Sequence, residues 1–338
     1  MRLHELNGRR SNLGEPGLSI VPSISRIREA QEYLTKYLVP TRLIAAPFLS
    51  KSVGKKVYLK LEMEQPTSSF KVRGAIWGLA QRIHRGPVQE VVASSTGNHG
   101  AAVAYAAKQF GIKAKIFLPV NCNPVKRGRI AALGASIVES GEGDLASAFA
   151  LAAEYAKQPG VYFLNDATDT DLPAGPATIS CEILDQLPET SAIFVPMGDT
   201  ALIRGIAAAA KQISPKVKID GVQAERAPSY YLSWKEGKVV GTETCDTIAD
   251  GLATRTPEAA NVRDVGNLVD DVVLVSEEKM LRAIEVLLLE EHVLAEPAGS
   301  ASTAALLQSG VDCGNHVVLV VSGANISREV LKRALDGE

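Results

Sequence analysis

Cysteine is scarce in this chain: Cys122, Cys181, Cys245 and Cys313 are the only four in 338 residues, and no two form a C-x-x-C pair. Such spacing argues against a disulfide framework or a zinc site and suits reduced thiols in a cytoplasmic protein. An excess of one charge is also missing. The 36 basic and 38 acidic residues nearly cancel, with no basic stripe, so nucleic acid and anionic membranes are poor partners. No apolar run approaches the ~20 residues of a membrane span. The first residues lack the charged-then-apolar pattern of a secretion signal. There are no internal repeats, low-complexity tracts or long linkers. What remains is 46% hydrophobic, enough for a substantial core, and the length suggests two domains.

Residues Met1 to Pro22 are polar and aperiodic, and read as a loose arm. Ser23 or Ser25 can cap a helix over Ile27 to Leu38. Short apolar runs follow at Val57–Leu61, Val91–Ala93, Lys115–Leu118, Ile193–Pro196, Lys218–Gln223, Val272–Val275 and His316–Val321. They alternate with Ala- and Leu-rich helical stretches, the βαβα pattern of a parallel sheet covered on both faces.

Two junctions carry chemistry. In Pro66-Thr67-Ser68-Ser69-Phe70-Lys71-Val72-Arg73-Gly74, a lysine follows the apolar run Val57–Leu61 and precedes a helical stretch from Gly74 to Ile83. A lone lysine is ordinarily a solvated surface group. At a strand–turn–helix junction it can be desolvated, which lowers its pKa and frees the amine for a Schiff base. The second junction, Val91 to Gly100, is again strand, turn and helix (Ala101 to Lys108). It offers backbone N–H groups and a positive helix end to an anion.

Together these junctions resemble the fold-type II pyridoxal-phosphate (PLP) enzymes, and within them the serine/threonine dehydratase and serine racemase branch. The resemblance covers roughly Val39 to Leu331. It rests on Ser68-Ser69-Phe70-Lys71 and Thr96-Gly97-Asn98-His99-Gly100, joined by Pro196–Leu202, Glu296-Pro297-Ala298-Gly299 and Ser322-Gly323-Ala324-Asn325. It implies a tryptophan-synthase-β-like α/β fold of two domains, each with a mostly parallel sheet. The small domain would span residues 91–166, and the large one 23–90 with 167–338. The cofactor would lie between them at the carboxyl ends of strands, and the likeness also implies a homodimer.

By the same resemblance Lys71 binds the cofactor as a Schiff base and removes the substrate α-proton, with Phe70 packed beside the ring. Asn98 bonds the pyridine 3-oxygen and Ser322 faces the pyridine nitrogen. Gly198, Asp199, Thr200 and Ala201 form the phosphate loop, while Gly251 and Glu296 complete the cofactor's wall. Ser95, Thr96 and the His99 backbone grip the substrate carboxylate. Thr96 doubles as a catalytic hydroxyl, standing where the branch usually carries Ser or Ala. The activity implied is β-elimination from threonine, serine or a 3-substituted serine, giving a 2-oxo acid and ammonia. Amino-acid racemisation, β-replacement and an altered-ligand, non-catalytic role are the alternatives.

The phosphate loop departs most from the family, which has four glycines there. Asp199 brings a carboxylate toward a dianion, and Arg204, one helical turn on, is the expected counter-charge. Where some members bind a divalent cation through a glutamate and an aspartate, this chain has Gln223 and Ser229, with Ala227 between, so no metal is expected. Asn165 and Asp166 fall near the family's substrate wall. About a dozen residues follow Asn325, too few for the regulatory domain of biosynthetic threonine dehydratases.

Overall fold

A computed structural model describes residues 21–120, 122, 124–141, 145–308 and 313–337. Most of the expected loose arm, residues 1–20, lies outside the described residues. Among the described residues, ten strands form two sheets. β1 (Leu43–Ala45), β2 (Lys56–Leu61), β7 (Ala192–Pro196), β8 (Lys218–Ala224), β9 (Asp271–Val275) and β10 (His316–Val321) make one, in the order β1-β2-β10-β7-β8-β9. β3 (Glu90–Ser94), β4 (Lys113–Pro119), β5 (Ser136–Ser140) and β6 (Val161–Phe163) make the other, in the order β5-β4-β3-β6. Every pairing is parallel except that of β1, which runs antiparallel to β2 at the edge.

The central strands of the first sheet are buried on both faces, as their unbroken apolar runs require: β7 and nearly all of β10 have no exposed residue. Seven expected runs match strands to within two residues at each end. The short strands β1 and β6 went unread, because three residues give too little pattern to register. The first helix spans Ile24–Leu34, starting earlier and ending earlier than expected, and Ser23 caps it by accepting the Arg26 N–H at 3.3 Å.

Strand ends and helix starts converge where the two sheets face each other. β3 runs through residues 95–97 into the helix Asn98–Phe110, and β7 through residues 197–200 into the helix Ala201–Ile213. The carboxyl end of β10 meets the start of the helix Lys71–Arg85, where Phe70 N–H donates to the Ser322 carbonyl (3.0 Å) and Ser69 bridges Gly323.

Candidate functional site

Lys71 is the first residue of its helix, so the expected turn followed by a helix from Gly74 is in fact a helix that begins on the lysine itself. Ser68, in the left-handed region at φ 55°, turns the chain sharply ahead of it and accepts the Ala324 N–H at 3.0 Å. The segment Glu296–Gly299 packs against the same bridge, with the Glu296 N–H donating to the Gly323 carbonyl at 3.0 Å. Gly299 has to be glycine, since a Cβ would collide with the Gly323 carbonyl oxygen. Two later motifs, about 225 and 250 residues on in sequence, thereby fix the turn that carries the lysine.

All the residues expected in the site line one cavity of about 460 Å³: Phe70 and Lys71; Ser95, Thr96, Asn98 and His99; Gly198 through Ala201; and Gly251, Glu296 and Ser322. Asn98 donates from Nδ2 to Glu296 Oε1 (2.6 Å), and its Oδ1 accepts from Asn325 Nδ2 (2.6 Å). One Asn98 N–H remains for a ligand. Glu296 sits at the N-cap of the helix Pro297–Leu306, yet its carboxylate serves Asn98 rather than the helix end. Burial raises its pKa. The Lys71 ammonium lies 5.3 Å from the centre of the Phe70 ring.

The electrostatics around Lys71 correct one expectation. Burial alone would lower its pKa, but the carboxylates of Asp166, Asp199 and Glu296 outweigh it, and the pKa is raised. Lys71 Nζ forms an ion pair with Asp166 Oδ2, and His99 Nδ1 lies 3.8 Å from the same oxygen. Burial also works against the Asp166 carboxylate, but the neighbouring His99 and Lys71 hold it well below the ordinary range. His99 Nε2 is 2.8 Å from the Leu164 carbonyl oxygen, which can only accept, so Nε2 carries a hydrogen.

The loop after β7 corrects another. Arg204 is buried, but its Nε donates to Thr200 Oγ1 (3.1 Å) and Nη1 lies 3.6 Å from Asp264. It therefore contacts the loop's threonine rather than Asp199. Asp199 is held instead by the Thr254 hydroxyl, which donates to Oδ1 at 2.9 Å. Burial and the nearby Asp166 raise the pKa of Asp199. Gly198 cannot carry a Cβ, because the Gly251 carbonyl oxygen fills that space. At the metal-like positions the oxygens are engaged locally: Gln223 Oε1 accepts the Tyr231 N–H (2.8 Å), and the Ser229 hydroxyl donates to the Thr254 carbonyl (2.6 Å).

Sequence reasoning placed Asp166 only near a substrate wall and gave Asn325 no role of its own. Asp166 pairs across 95 residues and Asn325 across 227, separations at which no local pattern signals contact. Arg129, whose Nη1 donates to Asn325 Oδ1 at 2.5 Å, went unnoticed for the same reason.

The model of the family described as "pyridoxal-phosphate dependent enzyme" matches residues 34–323. The chain belongs to this family. It is 35% identical over 314 residues to the L-threonine ammonia-lyase of Thermotoga maritima, covering 93% of this chain and 78% of that protein. It is 33% identical over 311 residues to a catabolic L-threonine dehydratase of Staphylococcus aureus, covering 90% of each. The structure of maize serine racemase superposes with a TM-score of 0.86 at 29% identity, covering 94% of this chain and 97% of that one. The fold is thus that of the fold-type II pyridoxal-phosphate enzymes, and this enzyme depends on that cofactor. Its residues fit the group. A glycine-tight turn after β7 leads into a helix whose first N–H groups have no partners within the helix. The one carboxylate in that turn is drawn onto Thr254, and a lysine lines the same cavity.

Proposed function

We propose that this pyridoxal-phosphate enzyme is a lyase that eliminates the β-hydroxyl of threonine, serine or a 3-substituted serine, releasing a 2-oxo acid and ammonia. The observation that carries this reading is the convergence of Lys71, the Ser95–His99 loop and the 198–201 loop on one cavity. The two dehydratase relatives support the substrate class. Bound pyridoxal phosphate supplies an aldehyde that condenses with amines and a ring that acidifies the substrate α-proton. In this reading Lys71 anchors the cofactor and takes the α-proton. The 198–201 turn and helix end would hold the phosphate, Asn98 would bond the 3-oxygen, and Ser322 at the end of β10 would face the ring nitrogen, with Gly251 and Glu296 completing the wall. Ser95, Thr96 and the His99 backbone orient the substrate carboxylate, with the Thr96 hydroxyl available to the reaction.

Incubation with L-threonine, L-serine and 3-substituted L-serines is expected to yield ammonia and a 2-oxo acid from at least one. If all persist while O-acetylserine and a thiol give product, β-replacement takes the place of elimination. D-serine formation is expected to be slow, since Thr96 is stiff at χ1 and adds a methyl group.

We further infer a division into residues 91–166 and residues 23–90 with 167–338, which the separate four- and six-stranded sheets support. No helix among the described residues is long and apolar enough to cross a membrane. A cytoplasmic location is supported by four cysteines that form no disulfide. The homodimer rests on the resemblance, and sedimentation of the purified protein tests it.

A further inference from the structure

The ion pair between Lys71 and Asp166 lies inside the cavity, and neither side chain has another evident structural task. Lys71 is mostly buried, with 16% of its side chain exposed, and Asp166 is similar at 13%. Burying two charges together is a poor device for stability, because desolvation offsets most of their attraction. A charged partner at a reactive amine does have a chemical consequence. It favours the protonated form and so makes the free amine a stronger base.

We propose that Asp166 is a catalytic partner of Lys71, holding the lysine nitrogen so that it takes a proton from the substrate α-carbon more readily than an isolated buried amine would. The proposal rests on the reading of Lys71 as the base. In the step, the Cα–H bond breaks and an Nζ–H bond forms. The electron pair stays with the substrate, and the Asp166 carboxylate remains ionised, ready to pair with the new ammonium. His99 is the positioning residue for Asp166. Its Nε2 is tied to the Leu164 carbonyl, while its buried Nδ1 has no hydrogen-bond partner and faces Asp166 at 3.8 Å. Leu164 lies two residues before Asp166, so one short segment fixes both the ring and the carboxylate. The titratable groups around Lys71 come from four elements: Asp166 after β6, His99 on the helix Asn98–Phe110, Asp199 after β7, and Glu296 ahead of the helix Pro297–Leu306. Of these, Asp166 forms the ion pair with the lysine nitrogen.

This arrangement implies two effects of opposite sign. Asp166 keeps Lys71 as an unreactive ammonium when nothing is attached to it, yet strengthens it as a base during turnover. Neutralising Asp166 should therefore make the lysine more reactive and the enzyme slower. A structural role would lower both.

The test uses the full-length chain prepared without pyridoxal phosphate. An amine-reactive acylating reagent is applied from pH 7 to 11, and labelling of Lys71 is followed by peptide mapping. In the unaltered protein half-maximal labelling is expected above the ordinary lysine value of about 10.4. In Asp166→Asn, labelling at pH 8 should rise about tenfold for each unit by which the pKa falls. Asp166→Glu should stay within roughly threefold of the parent, since the carboxylate is retained. With cofactor loaded, Asp166→Asn should turn over at least about tenfold more slowly, within the range for a proton-transfer partner, with a larger isotope effect from α-deuterated substrate. Half-maximal labelling at or below the ordinary lysine value in the unaltered protein overturns the proposal, whether or not Asp166→Asn folds. So does an Asp166→Asn variant that melts normally but shows slower labelling together with slower turnover. The labelling arm uses no amino-acid substrate, so a wrong assignment of substrate class leaves it intact.

Discussion

Lys71 and Arg73 leave the same helix two residues apart, about 200° around its axis, and enter two very different charge environments. Arg73 points into the protein behind the site. Its guanidinium bonds Glu62 through Nε (2.8 Å) and Nη2 (2.9 Å), Glu182 through Nη1 (2.5 Å) and Nη2 (2.9 Å), and the Thr178 hydroxyl (3.0 Å). Buried Lys60 completes the set by donating to Glu182 (2.6 Å) and to the Thr41 carbonyl (2.8 Å). Two cations meet two carboxylates, the charges cancel, and every strong donor of Arg73 has an acceptor. Around Lys71, by contrast, one ammonium faces Asp166, Asp199 and Glu296, His99 Nδ1 has no hydrogen-bond partner, and a cavity adjoins them all. A closed network anchors the helix, whereas an open one beside a cavity suits the chemistry proposed for Lys71. The same helix start serves both because residues two apart project from nearly opposite sides of a helix.

The sharpest way to break that contrast is to remove the reactive member. Lys71→Ala is expected to lower turnover by roughly 10⁴-fold or more, because the proposed anchor and the proposed base vanish together. Asp166 then loses its cation, so the melting temperature should fall as well, but by less than for Arg73→Met, because this pair borders a cavity whereas Glu62 and Glu182 are enclosed. A large drop in melting temperature would place Lys71 in the structural class with Arg73.

Next in size is the converse experiment. Arg73→Met leaves Glu62 and Glu182 buried with only Lys60 between them, at a cost of about 3–5 kcal/mol in unfolding free energy. The effect has a pH signature. Burial raises the pKa of Glu182, but Arg73 and Lys60 more than reverse this and hold it below the ordinary value. A carboxylate with a lowered folded pKa stabilises the fold above its unfolded pKa of about 4.3, and that contribution is lost as pH falls through the folded value. In Arg73→Met burial is opposed by Lys60 alone and favours the protonated form of Glu182, so acid relieves the variant. Urea midpoints measured from pH 7 to 4 should therefore converge as pH falls. A gap that stays constant would mean that packing, rather than charge, is what Arg73 supplies.

The contrast also separates what the sequence reveals from what it conceals. The Ser68–Lys71 and Thr96–Gly100 junctions are legible because each is local: an apolar run, small turn residues and a helix follow one another within some fifteen positions. The order of strands and helices is legible for the same reason. The partners of Lys71 are not, since Asp166, Asp199 and Glu296 stand 95, 128 and 225 positions away and only the parallel topology gathers them. That is why counting burial alone gives the wrong direction for the lysine's pKa. Arg73 shows the same limit. In the sequence it is one arginine in the Lys71 motif, and nothing near it signals Glu182, 109 positions on. The Arg204 expectation missed the direct contact, although the Arg204 and Asp199 charges still attract each other. One helical turn does bring it back to the loop, but its Nε meets the Thr200 hydroxyl and its guanidinium turns to Asp264.

The smallest effect lies at the edge of the open network, where Asp199 sits in the 198–201 loop proposed to hold the phosphate. The Thr254 hydroxyl draws this carboxylate aside at 2.9 Å. Thr254→Val keeps the shape and removes the bond, so Asp199 is released toward the space that the phosphate needs. A single hydrogen bond to a charged group is worth about 1.5–3 kcal/mol, but an unrestrained carboxylate can still turn away, so the expected loss of cofactor affinity is about three- to tenfold. Fluorescence titration of the cofactor-free protein with pyridoxal phosphate measures it. The sign of the pH dependence follows from burial and from Asp166, which together raise the Asp199 pKa, whereas the Thr254 bond lowers it. Without that bond Asp199 takes up a proton at higher pH, and a neutral carboxyl no longer repels the phosphate. The affinity gap between Thr254→Val and the parent should therefore shrink as pH falls. Adding Asp199→Asn to Thr254→Val should close the gap at every pH, because the two changes act through one carboxylate and cannot add. If the gap persists in the double variant, Thr254 supports the loop by packing, and Asp199 is a bystander to phosphate binding.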